Sequence, residues 1–369
     1  MGASSAETFT IESKNNQQQQ MTKNGGGRAS GCKTVNLALQ GGGSHGAFTA
    51  GVLDALLDDG RLHFEGVSGT SAGAMNAAVL ASALAQAHDG ALDDAAARAA
   101  ARAALRRFWD GVGLLGNFMT GVPLPAAQTM MSMFTPWLSP AQVNPLGLHP
   151  LRRLLRREID FDCLARQRRI KVFVSATNVR TGRGEVFSGA RLSVDAVMAS
   201  ACLPALFQAV QIGGDHYWDG GYSGNPAIYP LIYETKSADV LLVQINPIET
   251  PYNPGASAVD IMERVNEITF NAPLLAEMRA IEFVRRLLAE GRVDPARYKN
   301  VLLHRVDGGA ALAEFGAASK SRADSAFIGR LYDLGRGAGR DWLRAHFDDV
   351  GVRSSVETVP HGQTQPYEL

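Results

Sequence analysis

Residues Phe64 to Val67, followed by Ser68, read as a short strand that runs through Gly69-Thr70-Ser71-Ala72-Gly73 into the alanine-rich stretch Ala74 to Ala87. A strand must therefore become a helix within one sharp turn, with Ser71 at the corner. A side chain at position 69 or 73 would collide with backbone in so tight a turn, and the turn pushes the serine hydroxyl out of the sheet edge. An exposed serine on a strained corner points to acyl transfer. Taken alone, the pentapeptide also fits an ordinary Gly/Ser loop.

A second element lies upstream. Val35-Asn36-Leu37-Ala38-Leu39-Gln40 reads as a buried strand that enters Gly41-Gly42-Gly43-Ser44-His45-Gly46. The stretch Ala47 to Asp58 then has helical spacing at Phe48, Val52, Leu53, Leu56 and Leu57, and Gly60 ends it. Strand, glycine loop and helix in this order put several backbone N–H groups at a helix N-terminus, where partial positive charge favours an anion. In acyl transfer that anion is the tetrahedral oxyanion. The same six residues satisfy G-x-G-x-x-G, so a dinucleotide-binding oxidoreductase using Gly41–Gly46 is a rival. That fold expects an acidic residue about 20 residues on, at the end of the second strand. Glu65 falls nearby, but at the start of that strand. A purely structural tight turn is the third reading.

The serine needs a base. Asp215-His216-Tyr217-Trp218 reads as a strand that delivers Asp219-Gly220-Gly221 to a loop, followed by Asn225-Pro226 and a new apolar run. Alone, an acid followed by two glycines is an ordinary turn. The three clusters together resemble the patatin-like phospholipase family, whose members share a glycine-rich oxyanion loop, a G-x-S-x-G serine and a D-G-A or D-G-G aspartate. The resemblance runs from about Val35 to about Pro230 and includes Met198-Ala199-Ser200-Ala201-Cys202-Leu203-Pro204. It implies Ser71 as nucleophile and Asp219 as base of a two-residue dyad. It also implies Gly41, Gly42, Gly43 and Gly46 as the oxyanion loop, with Gly69, Gly73, Gly220 and Gly221 supporting the turns. One departure is visible: many relatives carry Arg or Lys where this chain has His45, which is mostly neutral at pH 7. An unperturbed carboxylate, with a pKa of about 3.9, is a poor base at neutral pH, so burial must raise that of Asp219. The resemblance calls for no cofactor and no metal.

Two other classes stay open. The order Ser71, Asp219, His304 fits a Ser-His-Asp α/β-hydrolase, with His304 closing the apolar run Val301-Leu302-Leu303. A lipid-binding scaffold on a hydrolase fold is also possible, because fold alone does not supply activity.

Substrate class is read between the motifs. Gly111 to Leu151 holds no Asp, Glu, Lys or Arg but is rich in Met, Phe and Leu and broken by six prolines. This is no membrane span. It suits a flap over an acyl-binding groove or a patch that meets a lipid surface, and equally a segment packed over the core. The expected partner is a lipid or lipid surface, with peripheral membrane contact through 111–157. Arg152, Arg153, Arg156, Arg157, Arg166, Arg168 and Arg169 follow the insertion and read as a solvated helix face or a site for anionic head groups. The 36 basic and 36 acidic residues balance, which gives no reason to invoke nucleic acid. Cys32, Cys163 and Cys202 form no C-x-x-C pair, so reducing, cytoplasmic conditions are assumed.

The expected fold is α/β: three layers, a mostly parallel central sheet with helices on both faces, and a C-terminal helical extension. Residues 1–33 are expected to be a disordered tail without an apolar signal sequence, 34–250 the catalytic core, 251–350 the helical extension and 351–369 a second tail. In the extension Ser257-x-x-Asp260 starts a helix with apolar positions at Ile261, Val265 and Ile268, interrupted at Pro273. A last helix carries Phe327, Leu331 and Trp342, weakened in its middle by Gly335, Gly337 and Gly339.

Overall fold

Strands and helices alternate from the start: β1 (Lys33–Leu39), α1 (Gly46–Asp59), β2 (Leu62–Gly69), α2 (Ala72–Asp89) and α3 (Asp94–Thr120). Next come α4 (Pro150–Glu158), α5 (Phe161–Arg166), β3 (Lys171–Asn178), β4 (Gly184–Ser188), α6 (Val194–Ser200), β5 (Val210–Ile212) and β6 (Asp215–Asp219). The chain continues through α7 (Tyr229–Glu234), β7 (Asp239–Gln244), α8 (Ala258–Ala289), β8 (Leu302–Asp307), α9 (Gly309–Ala313) and α10 (Ser325–His346). This computed structural model describes residues 31–120, 150–204, 207–249 and 258–356. Of the expected flap, 111–151, residues 121–149 lie outside the described residues, as do most of both tails.

Among the described residues the strands form one sheet in the order β5-β6-β3-β2-β1-β7-β8, with β4 also paired to β3. The run β3-β2-β1-β7-β8 is parallel, while β4 and β6 meet β3 antiparallel. Parallel strands buried on both faces need apolar side chains pointing both ways. In β7, Leu241 and Val243 face the packing layer that holds α1, α2, α3 and α10, while Val240 and Leu242 face the layer that holds α7 and α8. Helices therefore cover both faces, as the three-layer expectation requires. Each fully buried Leu or Phe of these layers, such as Leu37, Leu53 or Phe108, contributes about 1.5–3 kcal/mol relative to an exposed position.

The C-terminal stretch is not helical throughout. β8 joins the sheet beside β7, because the apolar run before His304 is long enough for a buried strand and its partner edge is open. Nor does Pro273 interrupt α8, which runs through it. In α10, Gly335 and Gly339 serve close packing: a Cβ on Gly335 would run into the Phe48 carbonyl of α1, and one on Gly339 would lie 2.9 Å from Ala55. Buried Asp54 of α1 pairs with Arg336 of α10 (3.2 Å) and with Arg102 of α3. The last helix is thereby fixed to the first.

Candidate active site

Ser71 connects β2 to α2 with φ 53° and ψ −119°, a backbone conformation that costs a residue with a side chain about 1–3 kcal/mol. Its surroundings hold it there. The Ser71 N–H donates to Ser200 Oγ (2.9 Å), the Gly73 N–H to the Thr70 carbonyl (2.8 Å) and the Thr70 hydroxyl to the Gly224 carbonyl (2.6 Å). A Cβ on Gly73 would run into the Leu39 carbonyl, so α2 starts directly against the end of β1 only because that residue is glycine.

The sheet register brings Asp219 to the same level. Gly69 of β2 lies opposite Val174 of β3, and Ala176, two residues on, lies opposite Asp219 of β6. Ser71, two residues past Gly69, therefore ends beside the carboxylate. The Asp219 side chain is buried, accepts a hydrogen bond from the Gly221 N–H (2.7 Å) and is close enough to the Ser71 hydroxyl to feel it. Burial pushes its pKa up to about 7 against the lowering effect of both neighbours. A carboxylate at the usual value would be too weak a base at neutral pH, and burial moves Asp219 toward the range a general base needs.

The glycine loop closes the third side. A Cβ on Gly41 would lie 2.8 Å from Ser71 Cβ, so loop and serine are in contact. Of the four glycines expected to offer N–H groups, two are occupied. The Gly41 N–H donates to Asn225 Oδ1 (2.7 Å), and the Gly46 N–H turns back to the carbonyls of Gly43 and Ser44. Gly42 and Gly43 make no backbone N–H hydrogen bond among the described residues. Behind the loop, the Gln40 Oε1 accepts from the N–H groups of Ile245 and Asn246 (2.9 Å each), and Asn246 Nδ2 donates to the Gly41 carbonyl (2.6 Å). Asn225, Asn246 and Ser200 thus hold the site without forming any of its three motifs.

The family profile described as Patatin-like phospholipase matches residues 37–232, more than half of the 369-residue chain. The chain belongs to this family. Lipid acyl hydrolysis is the general chemistry that patatin-like membership carries. No curated protein sequence matches the chain significantly. Among solved structures, VipD from Legionella pneumophila is similar over 81% of this chain and 66% of that one, at 14% identity and a TM-score of 0.31. The chain thus spans a little under two thirds of that structure's length, and so distant a likeness carries no argument.

Where many patatin-like relatives carry Arg or Lys, His45 is buried and neutral. Burial first, then the Lys320 cation, lowers its pKa to about 4. Its Nε2 lies 2.7 Å from Ser319 Oγ. The two rival sites do not assemble. His304 is committed through Nε2 to Asp239 (2.9 Å) and through Nδ1 to Ser355 (3.1 Å), on a strand separated from β2 by β1 and β7. Glu65 accepts from the N–H groups of Lys236 (2.8 Å) and Ser237 (2.7 Å), at the end of β2 away from the glycine loop. Neither residue was distinguishable from a functional one in sequence, because its partners are remote in the chain.

Proposed function

We propose that the protein is a serine acyl hydrolase that cleaves carboxylic ester bonds of lipids, in the manner of a phospholipase A or lysophospholipase, through a Ser71–Asp219 dyad. The Ser71 hydroxyl beside a buried carboxyl held near neutrality carries this reading. In the first step the Ser71 Oγ attacks the ester carbonyl as Asp219 takes its proton. Negative charge grows on the carbonyl oxygen, and the free N–H groups of Gly42 and Gly43 are the donors that suit it. Collapse breaks the carbon–oxygen bond, Asp219 returns the proton to the leaving alcohol, and an acyl-serine remains. Water, deprotonated by Asp219, then attacks the acyl carbonyl; the bond to Ser71 Oγ breaks, Asp219 returns the proton to that oxygen, and the fatty acid leaves.

Apolar surface on α8, the helix that borders the dyad, favours a lipid substrate. Phe270 of α8 packs edge-on against Tyr222 at 5.1 Å and borders Gly221. On the opposite side of the same helix Ile268, Val265 and Ile261 are about half exposed, at 55%, 48% and 49%. Helical spacing identified these as apolar positions, yet they face solvent rather than the core. A lipid surface is the occupant we assign to this stripe, which would dock α8, the helix that borders Gly221, at the interface. Among the described residues no helix is long and apolar enough to cross a membrane.

Purified protein is expected to release free fatty acid from phosphatidylcholine vesicles, and its Ser71→Ala variant to release none above background. Release by Ser71→Ala at the wild-type rate would refute the assignment. The double variant Val265→Asp, Ile268→Asp should lose about tenfold or more on vesicles, given about 1.5–3 kcal/mol per apolar side chain withdrawn from lipid. Its rate on a soluble short-chain ester should stay unchanged; an equal loss on both substrates would mean that the stripe has no role at the interface.

A further inference from the structure

The glycine loop is held from outside the region matched by the family. The turn Ala317–Ser321, which follows α9, lies against Gly43, Ser44 and His45. Ser44 Oγ donates to the carbonyls of Ser319 and Lys320, at 3.0 Å each. The Lys320 carbonyl also lies against Gly43, where φ is +57° and an added Cβ would collide with it. The third contact is between His45 Nε2 and Ser319 Oγ, at 2.7 Å. Its polarity follows from the next bond. Ser319 Oγ lies 2.7 Å from the Gly316 carbonyl, which can only accept, so the single hydroxyl hydrogen points there. His45 therefore donates from Nε2, and its Nδ1, buried and without a partner, carries no proton.

The turn is itself anchored. Lys320 Nζ pairs with Glu267 of α8 (3.1 Å), one turn from Asn271, which accepts from Gln40 Nε2 (3.2 Å). The turn thus joins α8 to the loop segment whose Gly42 and Gly43 amides have no acceptor among the described residues. Such amides stabilise developing charge only if their direction is set before the reaction.

We infer that Ser319 is a positioning residue for the glycine loop, acting through His45 and Ser44 to aim the Gly42 and Gly43 N–H groups at the reacting carbonyl oxygen. The inference rests on the acyl-hydrolase reading above. Because the loop binds the transition state rather than the ground state, loss of this support lowers kcat and leaves KM in place.

The test compares Ser319→Ala and Ser319→Thr with the wild type on a soluble p-nitrophenyl ester, together with inhibition by a trifluoromethyl ketone that adds to the serine and forms an oxyanion. Ser319→Ala is expected to lower kcat by about 10- to 100-fold, the scale of a small misplacement in an active site, with KM within about twofold. Ketone affinity should fall by the same factor. Ser319→Thr keeps the hydroxyl and should restore kcat to within about threefold of wild type. The inference is overturned if Ser319→Ala leaves kcat and ketone affinity within about twofold of wild type, if only KM changes, or if Thr fails as badly as Ala. Failure of the underlying reading would look different: Ser71→Ala would keep its esterase activity whatever Ser319 does.

Discussion

Replacing Asp219 with asparagine is expected to lower turnover by about 10²–10⁴-fold, the range for loss of a general base, and to make the protein more stable at pH 8. The second effect follows from the first role. The Asp219 carboxyl titrates near 3.8 when unfolded and at about 7 in the folded protein, because burial disfavours its charge. Between those values the folded state holds a proton that the unfolded state has released, so stability falls as pH rises from about 4 to about 7 and levels off above. At about 1.4 kcal/mol per pH unit the loss amounts to roughly 4 kcal/mol at most. Asparagine keeps an acceptor for the Gly221 N–H but carries no charge, so the variant lacks this fall. Glu277, also raised to about 7 by burial, contributes a fall of the same sign but is present in both proteins. Denaturation at pH 5 and pH 8 should show the variant gaining on wild type as pH rises. A constant difference would mean that Asp219 is not the group forced out of its charged state.

The second large effect is at Ser71. Ser71→Gly is expected to reduce turnover by about a millionfold, the scale of nucleophile removal in another serine hydrolase, while raising stability by about 1 kcal/mol. With φ at 53° the serine backbone is strained by about 1–3 kcal/mol, and glycine occupies that region freely. Part of the gain is offset by the greater freedom of glycine in the unfolded chain and by loss of the hydroxyl that faces Asp219. Ser71→Ala should be equally inactive but no more stable than wild type, since its Cβ retains the strain. Paired thermal melts separate the two. Equal melting temperatures for Gly and Ala would mean that the corner stores no strain.

The parts of this site that were legible in the sequence are those dictated by backbone sterics at short range. Gly69 and Gly73 flank Ser71 at fixed offsets because a Cβ at either would strike a carbonyl. The strand–glycine–helix order at Val35–Gly46 was legible for a similar reason, and so was the acid placed at a strand end before Gly220 and Gly221. Long-range pairing was not legible. Nothing near Gly41 announces that its N–H is taken by Asn225, 184 residues away, so four glycines were expected to serve where two remain open. Gly335 and Gly339 read as helix-weakening residues because their meaning lies in the backbone of α1 that they touch. Likewise Ile261, Val265 and Ile268 have the spacing of a buried face, and periodicity alone cannot distinguish a core from an exposed apolar stripe. The register that levels Ser71 with Asp219 passes through β3, a strand that carries no motif.

Activation of Ser71 by Asp219 is tested most directly by the rate at which a fluorophosphonate labels Ser71 as a function of pH. The second-order rate is expected to rise with pH through a single limb near 7, where the carboxyl loses its proton, and to lie at least about 10²-fold lower in Asp219→Asn with that limb gone. A labelling rate that ignores pH between 5 and 9, or one that Asp219→Asn leaves unchanged, would contradict it.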